Sequence, residues 1–188
     1  MSEQKSWSLR PAVTLGLRSA ACALVLARPP DSLRLRPAVL GVLGDVEAVA
    51  ERRATVLRDD LVRLGRYDEA NTRQRLRNTF VVDHTSIVLV DGELVGSVAV
   101  RPAADGDWLE HFYLAQSCRG IGIGTAILGD VIERCDRAGQ DVRLNVLSGS
   151  RAQSLYARHG FVVERQDPID VFMVRRHETM PPPSPRDQ

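Results

Sequence analysis

The sequence predicts an α/β domain with a mixed, mostly antiparallel sheet flanked by helices, its elements running β-α-α-β-β-β-α-β-α-β-β. Three observations point there. The spacing of apolar residues switches along the chain between strand alternation and a helical stripe. Asp91-Gly92 joins two runs rich in β-branched residues, the pattern of a tight hairpin. A chain of 188 residues, 44% hydrophobic and 26% charged, suits one core-forming domain and excludes wholesale disorder.

Residues 33–38 alternate apolar side chains with arginine and read as the first strand. Residues 45–64 place Val46, Val49, Ala50, Leu57, Leu61 and Leu64 on a helical stripe that Gly65 ends. Residues 68–80 are polar and read as a second helix. Residues 87–90 and 94–100 form the hairpin, since Asp-Gly supplies the positive φ angles of a two-residue turn. Residues 108–114 are a further strand. Residues 125–138 form a helix with Ile127, Leu128, Val131, Ile132 and Cys135 on one face and Gly139 as its stop. Residues 142–147 are a strand, 151–159 a short helix closed by Gly160, and 161–164 and 171–174 the last two strands.

The predicted domain spans residues 33–178. Residues 1–32 are expected to be a flexible extension; its apolar stretch at 19–27 faintly resembles a short targeting peptide and falls well below the ~18 residues of a membrane span. Residues 179–188 contain Pro181-Pro182-Pro183-Ser184-Pro185 and are expected to be a disordered tail. Lys plus Arg number 25 against 24 Asp plus Glu, so no overall charge draws the chain to nucleic acid or to a membrane surface. The three cysteines (Cys22, Cys118, Cys135) are scattered, which disfavours a disulfide framework and points to a reducing, cytoplasmic compartment. The histidines are dispersed as well, and no metal is expected.

The sharpest feature is residues 118–125, where Gly120, Gly122 and Gly124 alternate between a strand and a helix. Such glycines let a ligand approach the backbone, and the helix behind them aims free N–H groups and a positive dipole end outward. The arrangement suits a phosphate or pyrophosphate, with Arg119 as an added cation, although a tight strand-to-helix turn would use the same glycines. A dinucleotide fingerprint fails, because Thr125 or Ile127 stands where its third glycine must be. A Walker loop fails because Lys5 is the only lysine.

Arg119-Gly120-Ile121-Gly122-Ile123-Gly124 resembles the Q/R-x-x-G-x-G/A loop of the GNAT superfamily of N-acetyltransferases, which holds the pyrophosphate of acetyl-CoA. Further on, residues 150–161 (SRAQSLYARHGF) resemble the same family's N-x-A-x-x-L-Y-x-x-x-G-F segment. Each motif alone is moderately specific; the pair at this spacing is strong, and the resemblance covers residues 33–176. It implies that backbone N–H groups of Gly120, Gly122, Ile123, Gly124 and Thr125 wrap the pyrophosphate. It also implies that the main chain near Leu114 pairs with the pantetheine arm. Ser150 stands where the family usually has asparagine, and reads either as a pantetheine ligand or as the N-cap of a capping box with Gln153.

By the same resemblance Tyr156 is the general acid that protonates the departing thiolate; the alternative is a packing role for its ring. The base is less clear. Asn145 occupies a position where some relatives that acetylate protein N-termini carry glutamate, and it cannot take a proton. Other relatives use a glutamate on the strand before the glycine loop, where this chain has Glu110 and His111; strand alternation predicts that these two face opposite sides. Glu110 is preferred, with an ordinary edge charge or a water chain as alternatives. The resemblance thus implies acetyl-CoA-dependent N-acetylation of a small-molecule or peptide amine by direct attack in a ternary complex. Two other classes stand beside it: an acyl-CoA-binding module without turnover, and a toxin-type acetyltransferase acting on aminoacyl-tRNA. The oligomeric state, including a homodimer, is left open.

Overall fold

The computed structural model describes residues 33–37 and 43–178, so the expected extension and tail lie outside the described residues. The elements are β1 (Arg34–Pro37), α1 (Leu43–Arg63), α2 (Glu69–Thr79), β2 (Thr85–Val90), β3 (Glu93–Ala103), β4 (Gly106–Leu114), α3 (Ile123–Arg137), β5 (Val142–Leu147), α4 (Ala152–Arg158), β6 (Val162–Gln166) and β7 (Asp170–Arg175). The strands form one seven-stranded sheet in the order β1-β2-β3-β4-β5-β7-β6. Every neighbouring pair is antiparallel except β4–β5, as the sequence predicts for a mixed sheet.

Each element follows from local chemistry. Asp91 and Gly92 adopt φ of 53° and 86°, the positive pair a tight hairpin turn needs. α1, α3 and α4 end where a glycine follows and a backbone N–H reaches five residues back: Arg66 to Leu61 (2.8 Å), Gln140 to Cys135 (2.9 Å) and Phe161 to Tyr156 (3.2 Å). Asp68 caps α2, its carboxylate accepting from the Asn71 N–H at 2.8 Å. β3 continues past its predicted end through Pro102; β2 stops pairing at Ala99, and a proline is tolerated on such an open side.

The sheet is covered on both faces. On one side Ile127, Leu128, Val131 and Cys135 of α3, with Tyr156 of α4, pack on Val98, Leu109, Val142 and Leu144. On the other, Val49 and Ala50 of α1 and Leu76 of α2 pack on Ile87 and Tyr113. β4 and β5 pair only at Asp107–Val142 and Trp108–Arg143. Beyond Trp108 the two strands no longer pair, and their inner edges have no strand partner among the described residues. The gap opens toward Leu114, directly before the glycine loop.

Candidate functional site

The glycine loop sits at the head of α3. Gly122 is the N-cap residue, held in the left-handed region at φ 86°, ψ −10°, and no side chain caps the helix. The first helical bond runs from the Ala126 N–H to the Gly122 carbonyl at 2.9 Å. The N–H groups of Gly120, Ile121, Gly122, Ile123, Gly124 and Thr125 donate to no other described backbone group. Ile123 drives its side chain fully into the core, which anchors the loop, while Arg119, Gly120 and Thr125 are exposed. The result is a row of backbone donors seated on the core through Ile123, with the exposed Arg119 beside it.

Leu114 ends β4 at the mouth of the gap and pairs with Gly96 of β3. A Cβ built on Gly96 would lie 2.2 Å from the Tyr113 carbonyl oxygen and 2.8 Å from Leu114 Cδ2, so only glycine lets β3 and β4 approach here. Gly96→Ala is therefore expected to force the strands apart and lower stability by about 1–3 kcal/mol, measured by denaturant unfolding. Wild-type stability in that variant would show that the close approach does not matter.

Tyr156 is 7% exposed, its ring packed edge-on to Phe161 at 5.7 Å between centroids. Its hydroxyl bonds to no other described residue, and burial, reinforced by the nearby Tyr113 phenol, pushes its pKa well above the ordinary tyrosine value. Tyr113, on β4, is itself buried and receives a short hydrogen bond from Arg53 of α1. Arg53 also donates to the Thr72 carbonyl at 3.1 Å. The sequence reading missed both Tyr113 and Arg53. A contact spanning sixty positions leaves no local signal, and the only hint was a tyrosine next to Leu114.

The β3–β4 register shifts between Ser97 and Ala99, and His111 takes φ 49° in the resulting bulge. The Ser97 hydroxyl, fully buried, holds the bulge by donating to the His111 carbonyl at 2.7 Å. This corrects the expectation that Glu110 and His111 face opposite sides: both line one small, open hollow with Thr79, His84 and Arg101. The extra residue cancels strand alternation. Glu110 is held by Arg101, whose guanidinium donates to it at 2.8, 3.2 and 3.3 Å. His111 is largely buried, and that burial pushes its imidazole below the ordinary 6.5.

Ser150 lies just before α4, and its hydroxyl oxygen accepts a long bond from the Ala152 N–H at 3.4 Å. The expected capping box does not close: Gln153 donates its amide to the Leu147 carbonyl at 3.0 Å, and the Ser150 N–H goes to the same carbonyl. Asn145 donates to Asp170 at 3.2 Å at the start of β7. Among the described residues no cluster of three metal-ligating side chains occurs, and no helix is long and apolar enough to cross a membrane.

The family model for the acetyltransferase (GNAT) domain matches residues 62–171. Among solved structures, the PaiA N-acetyltransferase of Thermoplasma acidophilum, in complex with coenzyme A, is 20% identical with a TM-score of 0.62, over 78% of this chain and 99% of that one. A GNAT-family acetyltransferase of Staphylococcus aureus Mu50 is 14% identical with a TM-score of 0.61, over 78% and 99%. Ard1 of Thermoplasma volcanium is 18% identical with a TM-score of 0.54, over the same 78% and 99%. At these identities the likeness speaks for the fold. Comparison with curated proteins gives no match.

Proposed function

Since the chain belongs to the GNAT family of acetyltransferases, we propose that it transfers an acetyl group from acetyl-CoA to a primary amine of a small molecule or peptide, by direct attack in a ternary complex. One observation carries this reading: a row of N–H groups with no backbone partner among the described residues stands at the head of α3, beside the open inner edge of β4. A pyrophosphate needs the first feature, and an arm with two amides needs the second.

In this reading the N–H groups of Gly120, Gly122, Ile123, Gly124 and Thr125 hold the pyrophosphate, and Arg119 adds a cation. The main chain at Leu114 pairs with the pantetheine arm as a strand would, and the Ser150 hydroxyl bonds its amide. Tyr156, kept protonated by burial, donates to the departing sulfur. The proton leaving the amine is drawn toward β4, where Glu110 supplies the negative charge. The free, buried Cys118 and Cys135 fit a reducing cytoplasm.

The test is direct. Acetyl-CoA at ~100 times its dissociation constant should add about 2.7 kcal/mol to stability, read as a raised melting temperature. Thiol release should then follow with at least one member of a panel of polyamines, aminoglycosides, amino acids and N-terminal peptides. No shift at millimolar acetyl-CoA removes the reading. A binding module without turnover is the second reading, favoured by the clamp of Arg101 on Glu110; it predicts the shift without thiol release. The tRNA-acting reading gains nothing from Arg73 and Arg77 of α2: Arg73 pairs with Glu51 and Glu69, and Arg77 with Glu47.

A further inference from the structure

The sheet ends at β1 on one side and at β6 on the other, and an edge strand turns alternate N–H and C=O groups outward. The two edges are built differently. β1 is four residues long, carries Arg34 and Arg36, and closes on Pro37, which has no N–H to donate. Charges and prolines of this kind keep an edge from adding a strand. β6 holds no proline, and its residues from Val162 to Gln166 are all exposed. Val162 and Val163 are adjacent and each more than half exposed. Among the described residues no backbone bond from outside the β6–β7 ladder reaches this strand.

The register with β7 sets which way each side chain points. Val163 and Gln166 lie opposite Met173 and Val171, whose side chains belong to the core under α3. Val162 and Arg165 lie opposite Val174 and Phe172 and so face the other way. The Arg165 guanidinium stacks on the Phe172 ring, 3.4 Å from its centroid. The register shifts between Val163 and Arg165, which makes Glu164 the extra residue of a bulge. Its carboxylate lies 3.4 Å from Arg143 Nη2. Arg143 faces away from α3, because its neighbours Val142 and Leu144 sit in that core. The bulge thus puts Glu164 and Arg165, adjacent and opposite in charge, on one face.

A second copy can meet this edge antiparallel, about a two-fold axis perpendicular to the sheet. Cross-strand partners share a face, so the axis must bring like-facing residues together. An axis between Glu164 and Arg165 does so along the strand. Glu164 of each copy then lies opposite Arg165 of the other, and Val163 opposite Gln166. An axis through Glu164 would instead set that carboxylate against its own copy, and Val163 against Arg165 of the opposite face.

We propose that β6 pairs with β6 of a second copy of this chain, in the register that sets Glu164 against Arg165, and so joins two sheets into one. The proposal is independent of the acetyl-transfer reading. The strand is short and the interface small, so association is expected at roughly micromolar concentration.

The experiment is sedimentation equilibrium of the full chain from ~1 µM to ~1 mM. Wild type should pass from monomer to dimer as concentration rises. Glu164→Arg and Arg165→Glu each place like charges opposite one another at both symmetry-related pairs, and each should weaken the dimer ~10-fold or more. Mixed in equal amounts, the two variants should form a heterodimer of near wild-type affinity, since each supplies the charge that the other lacks. Both positions are exposed, so the fold should hold, with circular dichroism as the check. If either variant fails to fold, Glu164→Gln decides: it should weaken the dimer ~3-fold, and unchanged dimerisation overturns the proposal. Wild type that stays monomeric throughout overturns it as well. So does a dimer that neither charge variant weakens, or a pair of weakened variants that do not recover on mixing.

Discussion

Gly122→Val should abolish measurable acetyl-CoA binding while the domain stays folded. Gly122 holds φ 86° at the N-cap of α3, where a β-branched side chain is strongly disfavoured. Relief of that strain swings the peptide planes on either side, and with them the N–H groups of residues 122–124. Each charge-assisted bond to a phosphate is worth about 1.5–3 kcal/mol, so misaiming two weakens binding by ~10²-fold or more. The fold should survive, because Gly122 is only half-buried at the surface while the neighbouring Ile123 keeps its place in the core. Calorimetric titration gives the affinity, and circular dichroism the integrity. Gly122→Ala should fall between the two. Wild-type affinity in Gly122→Val would mean that the loop is a turn and nothing more.

That this loop mattered was legible because its signal is local: three glycines at alternate positions ahead of an amphipathic stripe. The same holds for the hairpin at Asp91-Gly92 and for the helix stops at Gly65, Gly139 and Gly160, each written in a few adjacent residues. The strand read as 94–100 runs on through Pro102 to Ala103, because β2 has already stopped beside it and only β4 pairs there. The facing of Glu110 and His111 went wrong for a related reason. One inserted residue in β4 reverses the alternation, and what permits it is Ser97, fourteen positions away. Arg53 and Tyr113 meet through the packing of α1 over the sheet, which no window of sequence contains. The ligand-facing backbone was thus readable, and the side-chain chemistry around the reacting centre depended on tertiary contacts.

Tyr156→Phe should lower kcat by ~10²-fold with acetyl-CoA affinity little changed, the low end of what a positioned proton donor contributes. The size follows from the acidities. An ordinary thiol has a pKa of about 8.5 and an ordinary phenol about 10, and burial raises the Tyr156 phenol further. Full transfer to the departing sulfur is therefore uphill, and the gain comes from partial donation while charge builds on sulfur. Folding should be unaffected: the hydroxyl has no partner among the described residues, and phenylalanine keeps the edge-on contact with Phe161. The variant thus separates chemistry from packing, since only the phenolic proton is lost. A leaving group of lower pKa needs less help, so a thioester of a more acidic thiol should narrow the gap between variant and wild type. Turnover of Tyr156→Phe at the wild-type rate would assign the ring to packing and leave the thiolate to depart unaided.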